Sequence, residues 1–234
     1  MKIAVFGTGP VGQALAGKLA ELGHEVTVGT RDPEATLART ESDYLGNPPF
    51  KAWLETHPGV ELEQAGEAAA QAELILNATN GAGSLSMLEA AGEANLAGKV
   101  LIDVSNPLDF SHGMPPSLFV CNSDSLGEQI QRRFPEAKVV KTLNTVNVYV
   151  MVDPSIVPGE HDVFLCGEDG EAKQRVSELV QSLGWPEGRI LDLGGIASAR
   201  GVEMYLPLWL RLMGALGSGS FNIAVVRAPA SSSS

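Results

Sequence analysis

The 234-residue chain is 44% hydrophobic with a formal net charge of −12, so it can bury a core but lacks the excess of Lys and Arg that nucleic-acid binding requires. Its two cysteines, Cys121 and Cys166, have neither metal-ligand nor CxxC spacing, which argues against a metal site and reads as two buried thiols. The longest nearly apolar stretch, residues 202–216, contains Glu203 and Arg211; as a helix it is about 22 Å long, against roughly 30 Å for a bilayer core, which points to a soluble, cytoplasmic protein with no membrane partner.

Residues 3–6 form an apolar run that opens directly into Gly7-Thr8-Gly9-Pro10-Val11-Gly12. With a strand at the very start, no signal peptide is expected. An amphipathic helix follows, with Leu15, Leu19 and Leu22 on one stripe and Gly23 at its end. Residues 25–29 are a second strand, and 32–38 begin a helix with Pro33 in its first turn. The Pro- and aromatic-rich stretch 44–58 reads as a loop with a short helical turn near the mouth of a site. A strand at 60–62, a helix at 65–71 and a buried strand at 74–78 come next. They are followed by a helix at 85–94, a strand at 99–104 stopped by Asn106-Pro107, a helix at 124–134 and a strand at 138–142.

This strand–helix alternation predicts an α/β, Rossmann-type, doubly wound parallel sheet over residues 1–150. Residues 151–228 predict a smaller C-terminal α/β lobe that closes the cleft. It has a strand at 161–166, a helix at 171–183, a strand at 189–193, a long helix at 196–216 and a final strand at 221–226. The long helix is apolar on more than one face, which suits a subunit interface and a homodimer. Residues 229–234 are expected to be a disordered tail.

The glycine turn is a phosphate cradle. Gly7 permits the tight turn, Gly9 lets a diphosphate approach the backbone, and Gly12 lets the helix pack on the sheet. Thr8, Pro10 and Val11 line the same turn, and the helix N-terminus offers free N–H groups. The acidic residue that would hold free ribose hydroxyls is missing; Thr30 and Arg31 stand in its place and suit a 2′-phosphate, so NADP is the expected cofactor.

Ligands in such sheets lie at the carboxyl ends of the strands. Asn77, Ala78 and Thr79 are expected along the diphosphate or the nicotinamide ribose. Asn106 and Pro107 are placed near the nicotinamide, and Thr142, Asn144 and Thr145 around a second reactant. These strand ends carry no Lys or His as an obvious proton donor, and His112 is the nearest candidate. No residue is assigned a catalytic role: the pattern suits hydride transfer to a small redox molecule, driven by positioning. A dehydrogenase or imine reductase of a small carbonyl compound, and a non-catalytic NADP-sensing module, remain open alternatives.

Several motifs carry a resemblance: Gly7 to Gly12, Leu22-Gly23-His24, Val28 to Arg31, Lys141 to Thr145, Val163 to Gly167 with the Asp169-Gly170 turn, and Asp192 to Gly195 leading through Ser198 to Arg200. Over nearly the whole chain it resembles the NADP oxidoreductase family that uses the 5-deazaflavin coenzyme F-420 and, more distantly, the N-terminal reductase domain of membrane metalloreductases. The resemblance implies a small dimeric protein that passes hydride between nicotinamide C4 and deazaflavin C5. It implies diphosphate contacts at Thr8 to Val11, 2′-phosphate contacts at Thr30 and Arg31, a strand end along the cofactor at Asn77 to Thr79, a nicotinamide wall at Asn144, and deazaflavin contacts at 217–221. The chain departs from the archaeal form in having Asn144 where that form has His, and in the stretch around Trp53. The second reactant is therefore a deazaflavin or a flavin, with a quinone or an organic carbonyl as alternatives.

Overall fold

A computed structural model describes residues 1–42 and 46–228; the start of the 44–58 stretch and the 229–234 tail lie outside the described residues. The first β-α-β unit forms as its pattern dictates. β1 (Lys2–Phe6) is buried from Ile3 onward, and α1 (Pro10–Glu21) turns Leu15, Ala16 and Leu19 onto the sheet. Pro10 in the first turn needs no N–H partner there. β2 (Glu25–Thr30) runs parallel to β1. α2 (Pro33–Leu37) starts at Asp32, whose carboxylate accepts from the Ala35 N–H at 2.9 Å.

The 44–58 stretch folds its second half as α3 (Phe50–Glu55). Phe50 is buried, and Trp53 stacks on His57 with ring centroids 4.2 Å apart, against Gly17 of α1. β3 (Val60–Gln64), α4 (Ala65–Gln71), β4 (Leu74–Asn77), α5 (Gly81–Ala91), α6 (Glu93–Leu96) and β5 (Val100–Asp103) continue the alternation. A hairpin of β6 (Leu108–Asp109) and β7 (Ser117–Leu118) projects beyond β5. α7 (Leu126–Arg133), β8 (Lys138–Thr142) and α8 (Val148–Val152) lead into β9 (Val163–Gly167), α9 (Gly170–Ser182) and β10 (Ile190–Asp192). The chain closes with α10 (Ala199–Met204) and α11 (Leu206–Leu216).

The main sheet has eight strands in the order β10-β9-β8-β5-β4-β1-β2-β3. Helices cover both faces, which is why the central strands are apolar without alternation. Leu15, Leu19, Val176 and Trp185 pack on one face; Phe6, Leu88, Ile130 and Phe134 pack on the other. The strand order reverses direction between β1 and β4, and there the doubly wound fold opens its ligand crevice.

Over residues 1–150 the strands of the main sheet are parallel, as the sequence predicts. The chain then leaves β8 through α8 and re-enters at the same edge, where β9 pairs antiparallel with β8, so β9 and β10 extend the main sheet. Three expectations need correction. The final strand at 221–226 does not form: β9 already has β8 and β10 as neighbours. The segment is instead held at Asp162, whose N–H donates to Ile223 O at 2.9 Å and whose carbonyl accepts from Asn222 Nδ2 at 2.9 Å. The long helix is broken at Tyr205, where Pro207 cannot donate the N–H that continuity requires. Cys121 is exposed; only Cys166 is buried.

Candidate functional site

The β1–α1 turn is built around glycine contacts. A Cβ on Gly12 would lie 1.9 Å from the Gly7 carbonyl oxygen, and one on Gly7, at φ +120°, would lie 2.5 Å from the Ala78 carbonyl oxygen. The turn is thus clamped between its own helix and the end of β4. Gln13 fixes it further by donating to Thr8 O at 2.9 Å. Gly9 is different: no protein atom lies within 4 Å of where its Cβ would be. Backbone that is rigid and open at the N-terminus of a twelve-residue helix suits a diphosphate.

At the end of β2, Thr30 is buried and its hydroxyl lies 3.0 Å from that of Thr36, which docks α2 onto the strand. If Thr36 donates, the Thr30 hydrogen is free to turn outward. Arg31 is exposed. Asp32, its acidic neighbour, is engaged as the α2 cap. Sequence reading missed Arg39: α2 turns the chain back so that Arg39 Nη1 reaches Thr8 Oγ1 at 3.5 Å. Among the described residues the arginine ion pairs belong to Arg132, Arg133, Arg189 and Arg200; Arg31 and Arg39 are among the arginines without a carboxylate partner there.

The strand-end residues separate into surface and support. Ala78 and Thr79 are half-buried and face the glycine turn. The Asn77 side chain is fully buried. It donates to Asp103 Oδ1 at 2.9 Å and Ser84 Oγ at 3.2 Å, and accepts from the Thr79 hydroxyl at 2.6 Å. Asn106 is half-buried and paired with Asn144 in both directions: Asn106 Nδ2 donates to Asn144 O, and Asn144 Nδ2 to Asn106 Oδ1, each at 2.9 Å. Asn144 also donates to Val202 O at 3.1 Å. Thr142 and Thr145 are buried, and the Thr142 hydroxyl donates to Phe164 O at 2.7 Å. Their side chains support the rim and do not form its surface.

Two elements flank this rim. The β6–β7 hairpin bounds a cleft of about 520 Å³ lined by Asn80, Leu85, Leu108, Phe110 and Phe119, with the exposed His112 at the hairpin tip. The C-terminal turn sits beyond β8, where Gly219 lies against Asn147 and Trp209, and Trp209 stacks on Phe221 at 5.4 Å. Among the described residues no three His, Cys, Asp or Glu side chains converge as a metal site. No described helix is long and apolar enough to cross a membrane.

A family model described as NADP oxidoreductase, coenzyme F420-dependent, matches residues 2–107, the portion that carries the cradle and the rim up to Pro107. The crystal structure of a candidate F420-dependent NADP reductase from Arthrobacter sp. FB24 is 59% identical, with a TM-score of 0.92, over 97% of this chain and 100% of that one. The chain belongs to the F420-dependent NADP oxidoreductase family. It is an NADP(H)-dependent oxidoreductase, and the open Gly9 backbone and the exposed guanidiniums of Arg31 and Arg39 fit that cofactor. The F420-dependent NADP reductase of Methanothermobacter marburgensis is 29% identical to this oxidoreductase over 221 residues, 91% of this chain and 92% of the relative. Rat metalloreductase STEAP3 is 30% identical over 212 residues. The oxidoreductase covers only 38% of that longer protein.

Proposed function

We propose that the second reactant is a deazaflavin, coenzyme F-420, or a flavin-like ring, and that the enzyme passes hydride between it and NADPH. The observation that carries this reading is the neutral rim. Thr79, Asn80 and Asn106 are its polar groups, and among the described residues the strand-end segments 77–80, 104–107 and 142–145 carry neither Lys nor His. Bound NADPH supplies the hydride from nicotinamide C4. Ring-to-ring hydride transfer leaves the protein to orient and to exclude water.

In this reading Gly7, Thr8, Gly9, Pro10, Val11 and Gly12 hold the diphosphate. Thr30 and Arg31, joined by Arg39, hold the 2′-phosphate. Ala78 and Thr79 follow the ribose, with Asn77 bracing them from below. Asn106 forms the nicotinamide wall, and Asn144 locks its amide. The apolar hairpin cleft and the C-terminal turn offer surfaces for a flat tricyclic ring. We assign residues 1–150 to nucleotide binding and 151–228 to closing the site, in a cytoplasmic homodimer. Of the α11 side chains only Leu206 is buried, while Leu208 and Leu216 are more than half exposed, which supports pairing through that helix.

One observation favours a second reading, reduction of a small carbonyl or imine, which needs a proton donor. Tyr205 lies three residues after Val202, whose carbonyl receives Asn144; its hydroxyl is buried without a partner among the described residues, and burial pushes its pKa up so that it stays protonated. Anaerobic NADPH oxidation with the deazaflavin, FMN, FAD, a quinone and small aldehydes or imines separates the two. Turnover well above all other acceptors with the deazaflavin or a flavin supports hydride exchange between rings. Turnover led by a carbonyl or imine, and lost in Tyr205→Phe, overturns it.

A further inference from the structure

Lys141 is fully buried beneath the rim residues Asn106 and Thr79 and does not itself reach the surface. Its ammonium makes three short contacts, to Asp103 Oδ2 at 2.8 Å, Glu203 Oε1 at 2.8 Å and the Ser105 carbonyl at 2.6 Å. Every bond at the two carboxylates is accepted, and none is donated. Asp103 Oδ1 receives Asn77 Nδ2 at 2.9 Å, the Ser105 hydroxyl at 2.6 Å and the Ser105 N–H at 3.2 Å. Glu203 receives the Leu126 and Gly127 N–H groups of α7 at 2.8 and 3.0 Å. A carboxyl that only accepts is ionised. For Lys141, burial lowers the pKa, but Asp103 and Glu203 outweigh it and hold the ammonium above its ordinary value. The neighbouring Cys166 thiol is pushed up to about 12 by burial and stays neutral.

The cluster therefore carries two negative charges and one positive charge, and it is sealed from water. Its position is as telling as its charge. Ser105, bound by Lys141, immediately precedes Asn106 of the rim. Asn77, bound by Asp103, holds Thr79 of the same rim. A buried net negative charge costs desolvation unless something nearby balances it. The α7 N-terminus balances part. The oxidised nicotinamide ring is a cation, and the reduced ring is neutral.

We infer that the Asp103–Lys141–Glu203 cluster is an electrostatic positioning device beneath the nicotinamide wall, which favours NADP⁺ over NADPH and so sets the direction in which the bound pair gives up hydride. This rests on the NADP site at the β1–β4 crevice. A purely structural cluster would alter both affinities together. A charged one alters their ratio, because only the oxidised ring carries the charge.

The test measures dissociation constants of NADP⁺ and NADPH by calorimetry for the wild-type protein, Glu203→Gln, Asp103→Asn and the remote Glu89→Gln. Glu203→Gln removes the charge together with an α7 cap. Asp103→Asn removes the same charge and leaves the cap, so the two variants disturb packing differently, and either one that folds decides the question. The ratio Kd(NADP⁺)/Kd(NADPH) is expected to rise about tenfold in both, because each variant removes one poorly screened negative charge, and to stay unchanged in Glu89→Gln. A ratio that moves by less than about threefold, under ~0.7 kcal/mol, in a folded cluster variant overturns the inference. If the wild-type protein bound neither nucleotide, the NADP site itself would fail, a separate result.

Discussion

Gly9 and Gly12 stand three residues apart in one turn, and the structure assigns them opposite sensitivities. In Gly12→Ala the new methyl would meet the Gly7 carbonyl oxygen at 1.9 Å and its carbon at 2.8 Å. The obstacle is backbone clamped between β1, α1 and β4, so relief requires the helix to lift from the sheet. Overpacking of this kind costs about 3 kcal/mol, and in a chain of this size that lowers Tm by roughly 6–12 °C. In Gly9→Ala the methyl meets no protein atom within 4 Å, and the residue's φ of −82° suits alanine. Loss of unfolded-state freedom makes this variant as stable as wild type or up to about 1 kcal/mol more so. The same methyl projects into the space assigned to the diphosphate, where NADPH affinity is expected to fall at least about tenfold, or ~1.4 kcal/mol. Thermal unfolding and NADPH calorimetry on both variants give the answer. A Gly9→Ala protein that binds NADPH as tightly as wild type would refute the placement of the diphosphate.

Three further outcomes are expected. With an aromatic disulfide reagent, Cys121 reacts in the native protein, and Cys166, buried and pushed up to about 12, reacts only on unfolding; two fast thiols would contradict this. The bonded Arg132 guanidinium holds the Asp124 carboxyl down to about 2. A depressed folded pKa stabilises fully above the unfolded value near 4, and that contribution disappears as pH falls toward 2. Asp124→Asn therefore lowers stability at neutral pH by about 1 kcal/mol or less, because Arg132 is largely solvated, and chemical denaturation should find the difference from wild type shrinking as pH falls from about 4 through about 2. Leu208→Asp on the outer face of α11 leaves Tm of the subunit near wild type and shifts sedimentation toward the monomer; an unchanged sedimentation coefficient removes α11 from the interface.

What the sequence made legible follows physical range. The β1–α1–β2 unit and its cradle are encoded within thirty consecutive residues, and the structure reproduces them nearly residue for residue. Helix α9 is equally plain, because Val176, Leu179 and Val180 repeat with the helical period and are all buried. The β6–β7 hairpin was invisible: strands of two residues hold no period. The 221–226 segment carries a strand-like apolar run, but it meets the sheet at Asp162, just before β9, which is already paired on both sides, and no local pattern reports that. Arg39 gave no signal, since only the turn of α2 brings it to Thr8, 31 residues earlier. Lys141 reads as the polar residue of an ordinary strand. Its meaning depends on Asp103, 38 residues away, and on Glu203 in α10.

The measurement that bears most directly on the cofactor site is the discrimination between NADPH and NADH before and after loss of a guanidinium. Arg31 and Arg39 are exposed, Arg39 reaches Thr8 of the glycine turn, and among the described residues neither has a carboxylate partner. One charge-assisted contact to phosphate contributes about 1.5–3 kcal/mol, roughly 10–100-fold in affinity. Arg31→Ala is expected to weaken NADPH within that range while leaving NADH nearly unchanged, with Arg39→Ala following at the lower end. Equal losses for the two nucleotides in Arg31→Ala would contradict the assignment of the 2′-phosphate to this edge of the sheet.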